Sequence, residues 1–460
     1  MQSKTKTIFI TSFHSFISKN ILDTDALKIL SRQEDLKIII FVPSHKKDFF
    51  NKYYKLGNVI FEGINIRKIT NSKINTLFSR ISFLLIDSHY LWYKKRERLE
   101  KSKSLRGYLK YFFEIFFTKF FSNLRIINKI FRFLDFHFSQ KNFFKKYFDI
   151  FHPDLIFATD IFNDIDAALL REAKYNKIFT VGMVRSWDNA YSKGLLRILP
   201  DKVIVNNETV KEEMQILDNV KGKDVFIAGL PQFDNHFSKG WMSREKFFRK
   251  IDLDPSKKLI LFAPAGNLLS DTDWQICQIL KNALDKKLLP SNLQFLVRNH
   301  PGHPASFEKF TSDKNFIIET PGVKFEQESI KDTELSPEDI QHLADSIYYS
   351  ELVIYVASSI GIDTLVFNKP QIIIDFDGWE NKPYIDSVRK YHNEDHMKKL
   401  INTGGVRVVK NPEELIFWIN KYLENPKIDE VGRKRMMRQQ LWKLDGKSGE
   451  RIAQFILGQI

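Results

Sequence analysis

The sequence predicts an α/β protein with two doubly wound, parallel-sheet domains. Short apolar runs typical of buried parallel strands alternate with stretches of helical periodicity, first over residues 7–216 and again over residues 225–409. A chain of 460 residues is also too long for one typical hydrophobic core. We therefore expect two domains with a cleft between them and a helical insert in the N-terminal domain.

The first series defines an N-terminal domain, which we assign to residues 1–220. Pro43 ends its second strand, because proline lacks the amide that a strand ladder needs. Strands are expected at residues 7–11, 36–42, 59–61, 154–159, 178–184 and 202–205. Helices are expected at residues 18–30, 164–174 and 208–216.

The second series defines a C-terminal domain, which we assign to residues 221–432, with a linker at 219–223. Residues 433–460 are expected to form terminal helices that pack back on the N-terminal domain. Strands are expected at residues 225–229, 258–263, 294–297, 316–318, 352–356, 371–374 and 406–409. Helices are expected at residues 243–251, 273–286, 336–350 and 361–367.

Residues 71–150 break the alternation and carry most of the net charge of +15. This insert holds 17 Lys and Arg against 6 Asp and Glu, and 15 of the 41 Phe. Its phenylalanines recur at helical spacing over residues 112–121, with basic residues between them. Two interpretations stay open: the helices lie on an anionic membrane surface, or the phenylalanines are core and the lysines a solvated face. No nucleic-acid motif is present, so nucleic acid is not expected as a partner.

Composition favours a cytoplasmic protein. The single cysteine, Cys277, excludes a disulfide framework and suits a reducing compartment. The polar N-terminus does not resemble a signal peptide, and no apolar run approaches the roughly 18 residues of a membrane span. If the insert binds lipid, we expect peripheral attachment to the inner face of the cell membrane.

Two segments of the second series follow predicted strands at the sheet edge where α/β proteins bind ligands. Arg298 and His300 end one strand, and His300 can donate to a phosphate oxygen, with Arg298 adding charge. Ser358 and Ser359 end another strand and open a helix, where hydroxyls and free amides attract an anion. Asp363 lies one helical turn further on, placed to hold ribose hydroxyls.

A weaker donor-side candidate is Gly266, in a loop whose backbone amides could line a diphosphate. Each of these positions also has a structural explanation as a turn or a helix cap. Together they nevertheless favour a transferase that uses a nucleotide-activated donor. Two Asp-x-Asp spacings, at residues 164–166 and 375–377, are not convincing metal motifs, and no metal or other cofactor is expected.

Three N-terminal residues are candidates for catalysis at the acceptor. His14 follows the first strand, Asp160 follows a later strand, and Asp188 lies in the segment after the next one. An imidazole near neutrality suits a base that deprotonates a hydroxyl, and a carboxylate suits either a base or the group that orients it. The sequence does not choose between the three.

Several C-terminal motifs together resemble a known family. They resemble the C-terminal half of CDP-glycerol glycerophosphotransferase-like proteins, over residues 225–452. The motifs are Arg298-Asn299-His300-Pro301, Ser336-Pro337 with the acidic stretch 339–345, Ser358-Ser359 with Asp363, Asn368-Lys369-Pro370, and residues 445–452. The paired His-Pro and Ser-Ser motifs are also similar to those of bacterial sialyl- and Kdo transferases, which use CMP-sugars.

The resemblance implies a GT-B fold of two Rossmann-like domains and a donor held by His300, Ser358 and Ser359, with Asp363 at the ribose or cytidine. Two departures favour sugar transfer over polyol-phosphate transfer. Phe13-His14-Ser15 stands where the family's polymerases carry a Gly-His-Gly base motif, and Ala357 replaces the usual Asp-Tyr before the serines.

We therefore expect an inverting, metal-independent glycosyltransferase of cell-surface polysaccharide biosynthesis. Its partners would be a nucleotide-sugar, with cytidine favoured, and a glycan or lipid-linked acceptor. A CDP-polyol donor is the alternative. A sugar-nucleotide epimerase, or a non-catalytic adaptor for membrane or RNA, is a second alternative.

Overall fold

A computed structural model describes residues 5–122, 124–234, 236, 241–325, 332–356 and 358–460. The chain divides into two compact units. The first consists of Met1–Asn235 together with Trp442–Ile460, and the second of His236–Leu441. Ala357, which the sequence analysis used, lies outside the described residues.

The first unit is built on a parallel sheet whose central strands are almost wholly buried, as expected for a sheet covered by helices on both faces. Its described strands are β1 (Lys6–Thr11), β2 (Leu36–Pro43), β3 (Val59–Ile64), β4 (Leu155–Ala158), β5 (Phe179–Met183), β6 (Lys202–Val205) and β7 (Val225–Ile227). The strand order is β3-β2-β1-β4-β5-β6-β7.

Helices connect these strands, and several begin at side-chain caps. Asn163 and Asn207 accept the amides of Ile165 and Val210, each at 2.8 Å, and so start the helices that follow β4 and β6. The helices are α1 (Asp25–Ser31), α2 (Lys47–Tyr54), α3 (Arg67–Thr70), α4 (Lys73–Ser82), α5 (His89–Ser102), α6 (Leu105–Phe121), α7 (Arg125–Phe138), α8 (Lys145–Phe151), α9 (Asp164–Tyr175), α10 (Asn189–Ser192) and α11 (Glu208–Ile216).

The second unit repeats this plan. Its strands are β8 (Lys258–Ala263), β9 (Leu293–Arg298), β10 (Phe316–Glu319), β11 (Val323–Lys324), β12 (Thr333–Glu334), β13 (Ser350–Tyr355), β14 (Gln371–Ile374) and β15 (Arg407–Val409). The parallel sheet has the order β10-β9-β8-β13-β14-β15, and β11 and β12 form a separate antiparallel pair. The helices are α12 (Arg244–Lys250), α13 (Asp273–Asp285), α14 (Pro337–Tyr349), α15 (Ile360–Leu365), α16 (Asp395–Ile401), α17 (Pro412–Glu424) and α18 (Glu430–Leu441).

The structure confirms the predicted α/β class and both parallel sheets. The boundaries between its two units lie after residues 235 and 441, whereas the sequence places them after residues 220 and 432. β7 pairs with β6 and completes the first sheet, so a boundary at residue 220 falls one strand too early. α18 belongs to the second unit, and only the last helix, α19 (Ser448–Leu457), returns to the first. There α19 packs against α1, and its Gly449 amide donates to Asp234 Oδ2 at 2.6 Å.

The basic insert forms α4 to α8. Two of its helices, α6 and α7, bury polar side chains and expose apolar ones. In α6 the buried residues are Glu114 and Thr118, whereas Phe112 is 65% and Phe116 57% exposed. α7 likewise buries Asn128 and Asp135. Further exposed apolar side chains on the two helices are Leu105, Leu109, Phe113, Phe120, Ile126, Ile130, Phe133 and Phe138.

The interpretation of the phenylalanines as core is therefore wrong for most of those on α6 and α7. Phe117, Phe121 and Phe131 do pack inward, in a cluster with residues of α4 and α5. Within the part of the chain that the structure describes, no helix has both the length and the apolar character needed to span a bilayer.

Candidate functional site

In each unit, the strand order reverses between two neighbouring strands, and this is the point at which open α/β sheets bind ligands. In the second unit the reversal lies between β8 and β13, because β9 and β14 continue in opposite directions. Gly266 follows β8, Ser358 and Ser359 follow β13, and His300 follows β9 next door. The predicted donor residues thus converge on the carboxyl edge of one sheet.

The serine pair directly precedes α15, with Ser359 at its N-cap position. Ser358 Oγ accepts the amide of Ile360 at 3.3 Å, whereas the Ser359 hydroxyl makes no capping hydrogen bond. Both serines are half-buried, and Asp363 is buried one turn further along. The amides of Ile360, Gly361 and Ile362 already donate within this turn, so an anion here would be bound through the serine hydroxyls.

Gly361, in the same turn, has a packing role. A Cβ there would lie 2.4 Å from Tyr355 Oη, which donates to Gln371 Oε1 at 2.9 Å. The glycine is needed because the Tyr355 ring from β13 lies directly beneath α15. The close approach that this glycine permits is therefore made by the protein's own tyrosine.

His300 is exposed at the end of β9, and its ring is oriented by its own loop. Nδ1 accepts the amide of Gly302 at 3.1 Å, which places the proton of the neutral ring on Nε2. The ring stacks against His303, with 5.6 Å between ring centroids. His300 can therefore act as a hydrogen-bond donor to a phosphate oxygen, as the sequence predicts.

Arg298 does not serve the site. It is the last residue of β9 and lies opposite Glu319 of β10, to which its guanidinium donates, and it also donates to the Asp339 carbonyl at 3.1 Å. Burial would raise the pKa of Glu319, but the hydrogen bond from His342 and the charge of Arg298 bring that pKa below its ordinary value. Arg298 is thus committed to a buried cross-strand ion pair, which the sequence pattern does not reveal.

Gly266 also has a structural role. Its amide and that of Ala265 each donate to the Asp273 carboxylate at 2.9 Å, so neither is available to a diphosphate. Gly266 has a φ of +81°, and a Cβ there would lie 2.0 Å from the His303 carbonyl oxygen. Burial raises the pKa of Asp273 to about 6 despite the two amide hydrogen bonds. The loop after β8 therefore supports the His300 loop rather than a ligand.

In the first unit the strand order reverses between β1 and β4. The two strand ends are tied by Thr11 and Thr159, and Thr11 Oγ1 donates to Asp166 Oδ1 at 2.5 Å. Burial, and then the charge of Asp160, raise the pKa of Asp166 well above its ordinary value. Asp164 accepts from Arg197 at 2.7 Å, so this Asp-x-Asp pair is structural.

Arg185, two residues after β5, interacts with two of the acceptor-side candidates, Asp160 and His14. Its Nε donates to Asp160 Oδ2 at 2.8 Å, and both side chains are buried. Asp160 Oδ1 is also buried and has no hydrogen-bond partner among the described residues. Burial lowers the pKa of His14 well below its ordinary value, and the charge of Arg185 lowers it further, while Asp188 raises it.

Lys46, after β2, and Lys193, after α10, also lower the pKa of His14. Sequence reasoning gave Arg185 only as part of the candidate segment that holds Asp188, and it missed the two lysines. A signal was available, because Arg185 and Lys46 each follow a predicted strand on the carboxyl edge of the sheet. The cluster has more positive than negative charge around a neutral imidazole, an environment that suits an anionic group.

The geometry distinguishes between the three predicted bases. His14 Nδ1 accepts the amide of Phe16 at 3.2 Å, so its neutral ring is a donor through Nε2, and its lowered pKa makes it a weak base. Asp188 accepts from the hydroxyls of Ser186 and Ser192 at 2.5 and 2.8 Å. Asp160 is the carboxylate with an unused oxygen.

Both carboxylates of the second Asp-x-Asp pair have partners within the protein. Asp375 contacts His392 Nδ1 at 2.6 Å, and Asp377 accepts the Ser387 hydroxyl and the Val388 amide. In the described ranges, no group of three or more His, Cys, Asp or Glu side chains is arranged to hold a metal ion.

Comparison with known proteins agrees with this two-domain architecture. The fold is GT-B, with two Rossmann-like parallel sheets. Residues 188–458, more than half of the chain, match the profile of the family CDP-Glycerol:Poly(glycerophosphate) glycerophosphotransferase. The chain therefore belongs to this family and is a transferase. A search of curated proteins gave no match.

Solved structures support the fold at low sequence identity. A UDP co-structure of S. aureus MnaA has a TM-score of 0.54 at 12% identity, covering 99% of this chain and 98% of that chain. Neisseria meningitidis UDP-GlcNAc 2-epimerase bound to UDP-GlcNAc has a TM-score of 0.54 at 11% identity, covering 98% and 100%. The wall teichoic acid polymerase TagF, soaked with CDPG, has a TM-score of 0.51 at 12% identity, covering 99% and 88%.

Proposed function

We propose that this transferase moves a polyol phosphate from a cytidine diphosphate-linked donor to an acceptor hydroxyl. The observation that carries the proposal is the family match, which spans both donor motifs, His300 and Ser358-Ser359. It reverses the order of preference that the sequence suggested, in which sugar transfer came first.

In the proposed reaction, the acceptor oxygen attacks the phosphorus that carries the polyol. A new P–O bond forms, the bond to the bridging diphosphate oxygen breaks, and CMP leaves with inversion at phosphorus. His300 Nε2–H and the hydroxyls of Ser358 and Ser359 would stabilise the charge on the leaving phosphate. Asp363 would bind the ribose, and no metal ion takes part.

The acceptor would bind at the His14 cluster in the first unit. Asp160 would receive the proton of the attacking hydroxyl through Oδ1, its oxygen without a partner among the described residues. His14 and Arg185 would orient the acceptor as hydrogen-bond donors, and Asp188 would hold the loop after β5. Replacing Asp160 by Asn should lower kcat with little change in KM for the donor, whereas an unchanged kcat would exclude Asp160 as the base.

Sugar transfer from a nucleotide-sugar is the second candidate. Phe13-His14-Ser15, in place of a Gly-His-Gly motif, favours it. The released nucleotide separates CDP-glycerol, which yields CMP, from a UDP- or GDP-sugar, which yields the nucleoside diphosphate. A CMP-sugar also yields CMP, so for that donor the group attached to the acceptor distinguishes the two reactions. Product analysis with each donor and a lipid-linked glycan acceptor would decide between them.

The donor site is tested by nucleotide binding. We expect CMP and CDP to raise the melting temperature more than UDP or GDP. The double variant Ser358→Ala/Ser359→Ala should lose about tenfold or more in affinity, because hydrogen bonds to a charged phosphate are lost. Ser243→Ala is a matched control, since its hydroxyl caps α12 by accepting the Lys246 amide at 3.3 Å.

Two results would contradict the donor site. One is the absence of stabilisation by all four nucleotides. The other is an equal loss of affinity in the serine double variant and in the capping control.

We also propose that the enzyme works at the cytoplasmic face of the membrane on a lipid-linked acceptor of cell-surface polysaccharide synthesis. The exposed phenylalanines of α6 and α7 support this, because a contiguous exposed apolar patch on a protein usually marks a binding surface. Phe112→Ser/Phe116→Ser should abolish co-sedimentation with phospholipid vesicles while leaving nucleotide binding unchanged. Full retention of vesicle binding in this variant would exclude the face as the attachment site.

A further inference from the structure

A cavity of about 240 Å³ lies between α5 and α6, and none of the candidate donor or acceptor residues lines it. It is lined by Lys95 and Arg98 of α5 and by Arg106, Lys110 and Glu114 of α6. It is smaller than the roughly 300–1,000 Å³ pockets that hold drug-sized ligands. The space suits a small occupant, and four cations against one carboxylate favour an anionic one.

The carboxylate in the cavity does not neutralise its cations. Glu114 accepts from Arg98 Nη2 at 2.7 Å and lies 3.9 Å from Lys110 Nζ, while Lys95 donates to Thr118. Arg106 makes no ion pair or hydrogen bond within the described ranges. It also lies in the first turn of α6, where the positive end of the helix dipole disfavours a cation unless an anion is present.

The cavity borders the exposed apolar face of α6. At about 100° per residue, Arg106 and Lys110 lie between the buried side of the helix, marked by Glu114, and the apolar side, marked by Phe116. Helices with an apolar face bordered by cations lie in the interface of anionic membranes, with the apolar side chains beneath the headgroups. The cations of the cavity would then be at headgroup level.

We propose that the α5–α6 cavity binds the phosphodiester headgroup of an anionic phospholipid, while the apolar face of α6 and α7 enters the acyl layer beneath it. Arg106 and Lys110 donate to the phosphate oxygens, and Arg98 and Lys95 add charge from the opposite wall. This goes beyond attachment to a charged surface, because it assigns one lipid headgroup to one cavity. It does not depend on which group the enzyme transfers.

The test compares two pairs of substitutions in the full-length protein. Arg106→Gln/Lys110→Gln removes the two cations between the cavity and the apolar face. Lys119→Gln/Lys129→Gln removes one exposed cation from α6 and one from α7, both outside the cavity. Binding is measured by co-sedimentation with phosphatidylcholine vesicles with and without phosphatidylglycerol, and an unchanged melting temperature without nucleotide reports that each variant is folded.

We expect a larger loss from the cavity pair on phosphatidylglycerol vesicles. General attraction contributes about fivefold per cation, so the control pair should lose about 25-fold at most. The cavity pair should lose about 100-fold or more, because charge-assisted hydrogen bonds are lost as well. Equal losses would overturn the headgroup site and leave only diffuse attraction.

Two further results would also overturn it. One is equal binding of the unaltered protein to vesicles with and without phosphatidylglycerol. The other is complete displacement from phosphatidylglycerol vesicles by inorganic phosphate at constant ionic strength, which would make the cavity a site for free phosphate. Failure of nucleotide binding would contradict the proposed transfer reaction without affecting this test.

Discussion

The ionisation of Asp273 should be visible in the pH dependence of the protein's stability. Its pKa is raised from an ordinary 3.8 to about 6 by burial. The folded protein therefore holds the proton more tightly than the unfolded chain. The stability that this provides is fully present below pH 3.8 and is lost as the pH rises through about 6.

The magnitude follows from the two pKa values. A tenfold change in an ionisation constant is worth about 1.4 kcal/mol, so the change from 3.8 to about 6 amounts to about 3 kcal/mol. About 1.4 kcal/mol of this should be lost between about pH 5 and about pH 7.5. The Asp273→Asn variant has no proton to release. The unfolding free energy of the wild type should therefore fall relative to that of the variant over this interval.

Urea unfolding followed by tryptophan fluorescence measures this difference. Trp274 is adjacent to Asp273 and packs against Trp379, with 5.7 Å between ring centroids, so its emission reports on the second unit. Asp285→Asn is a matched control, because Asp285 is an exposed carboxylate at the other end of the same helix. A difference between wild type and Asp273→Asn that stays constant from pH 5 to pH 7.5, or that changes in the opposite direction, would refute the reasoning.

Three further predictions concern stability and reactivity. Gly266→Ala should lower the unfolding free energy by at least about 2 kcal/mol, since φ is +81° and the new Cβ would clash with the His303 carbonyl; an unchanged melting temperature would contradict this. Asp135→Asn should cost about 3–5 kcal/mol, because two buried arginines lose their shared carboxylate, and a well-folded variant of wild-type stability would show that they find another partner. Cys277 is buried and its pKa is raised by burial, so a thiol reagent should label it only on unfolding; rapid labelling of the native protein would count against this packing.

The strands were predictable from sequence because parallel strands buried on both faces need continuous apolar runs. β2 and β8, for example, coincide closely with such runs. The assignment of β7 was not predictable in this way. Three residues that add to the edge of a sheet look the same whether they complete one sheet or begin the next.

The candidate site was predictable only in outline. His300 and the serine pair lie where strand ends and the strand order place them, which sequence periodicity can reveal. The roles of Arg298 and Gly266 depend on partners 21 and 7 residues away, Glu319 and Asp273, which only register and loop geometry bring into contact. Arg185 belongs to a candidate segment in the sequence, but its ion pair becomes apparent only when β4 and β5 place it beside Asp160.

The return of α19 to the first unit makes the second unit an insertion in the middle of the first. The hydrogen bond from Gly449 to Asp234 joins residues 215 positions apart, and that from Arg451 to the Ala228 carbonyl joins residues 223 apart. Closing so long a loop is slow and costly in entropy for a flexible chain. A segment that has already folded has lost most of that flexibility, so it lowers the remaining entropic cost of closure. We infer an order of assembly in which the inserted unit forms before α19 docks. A fragment ending at residue 235 would therefore lack the helix that covers α1.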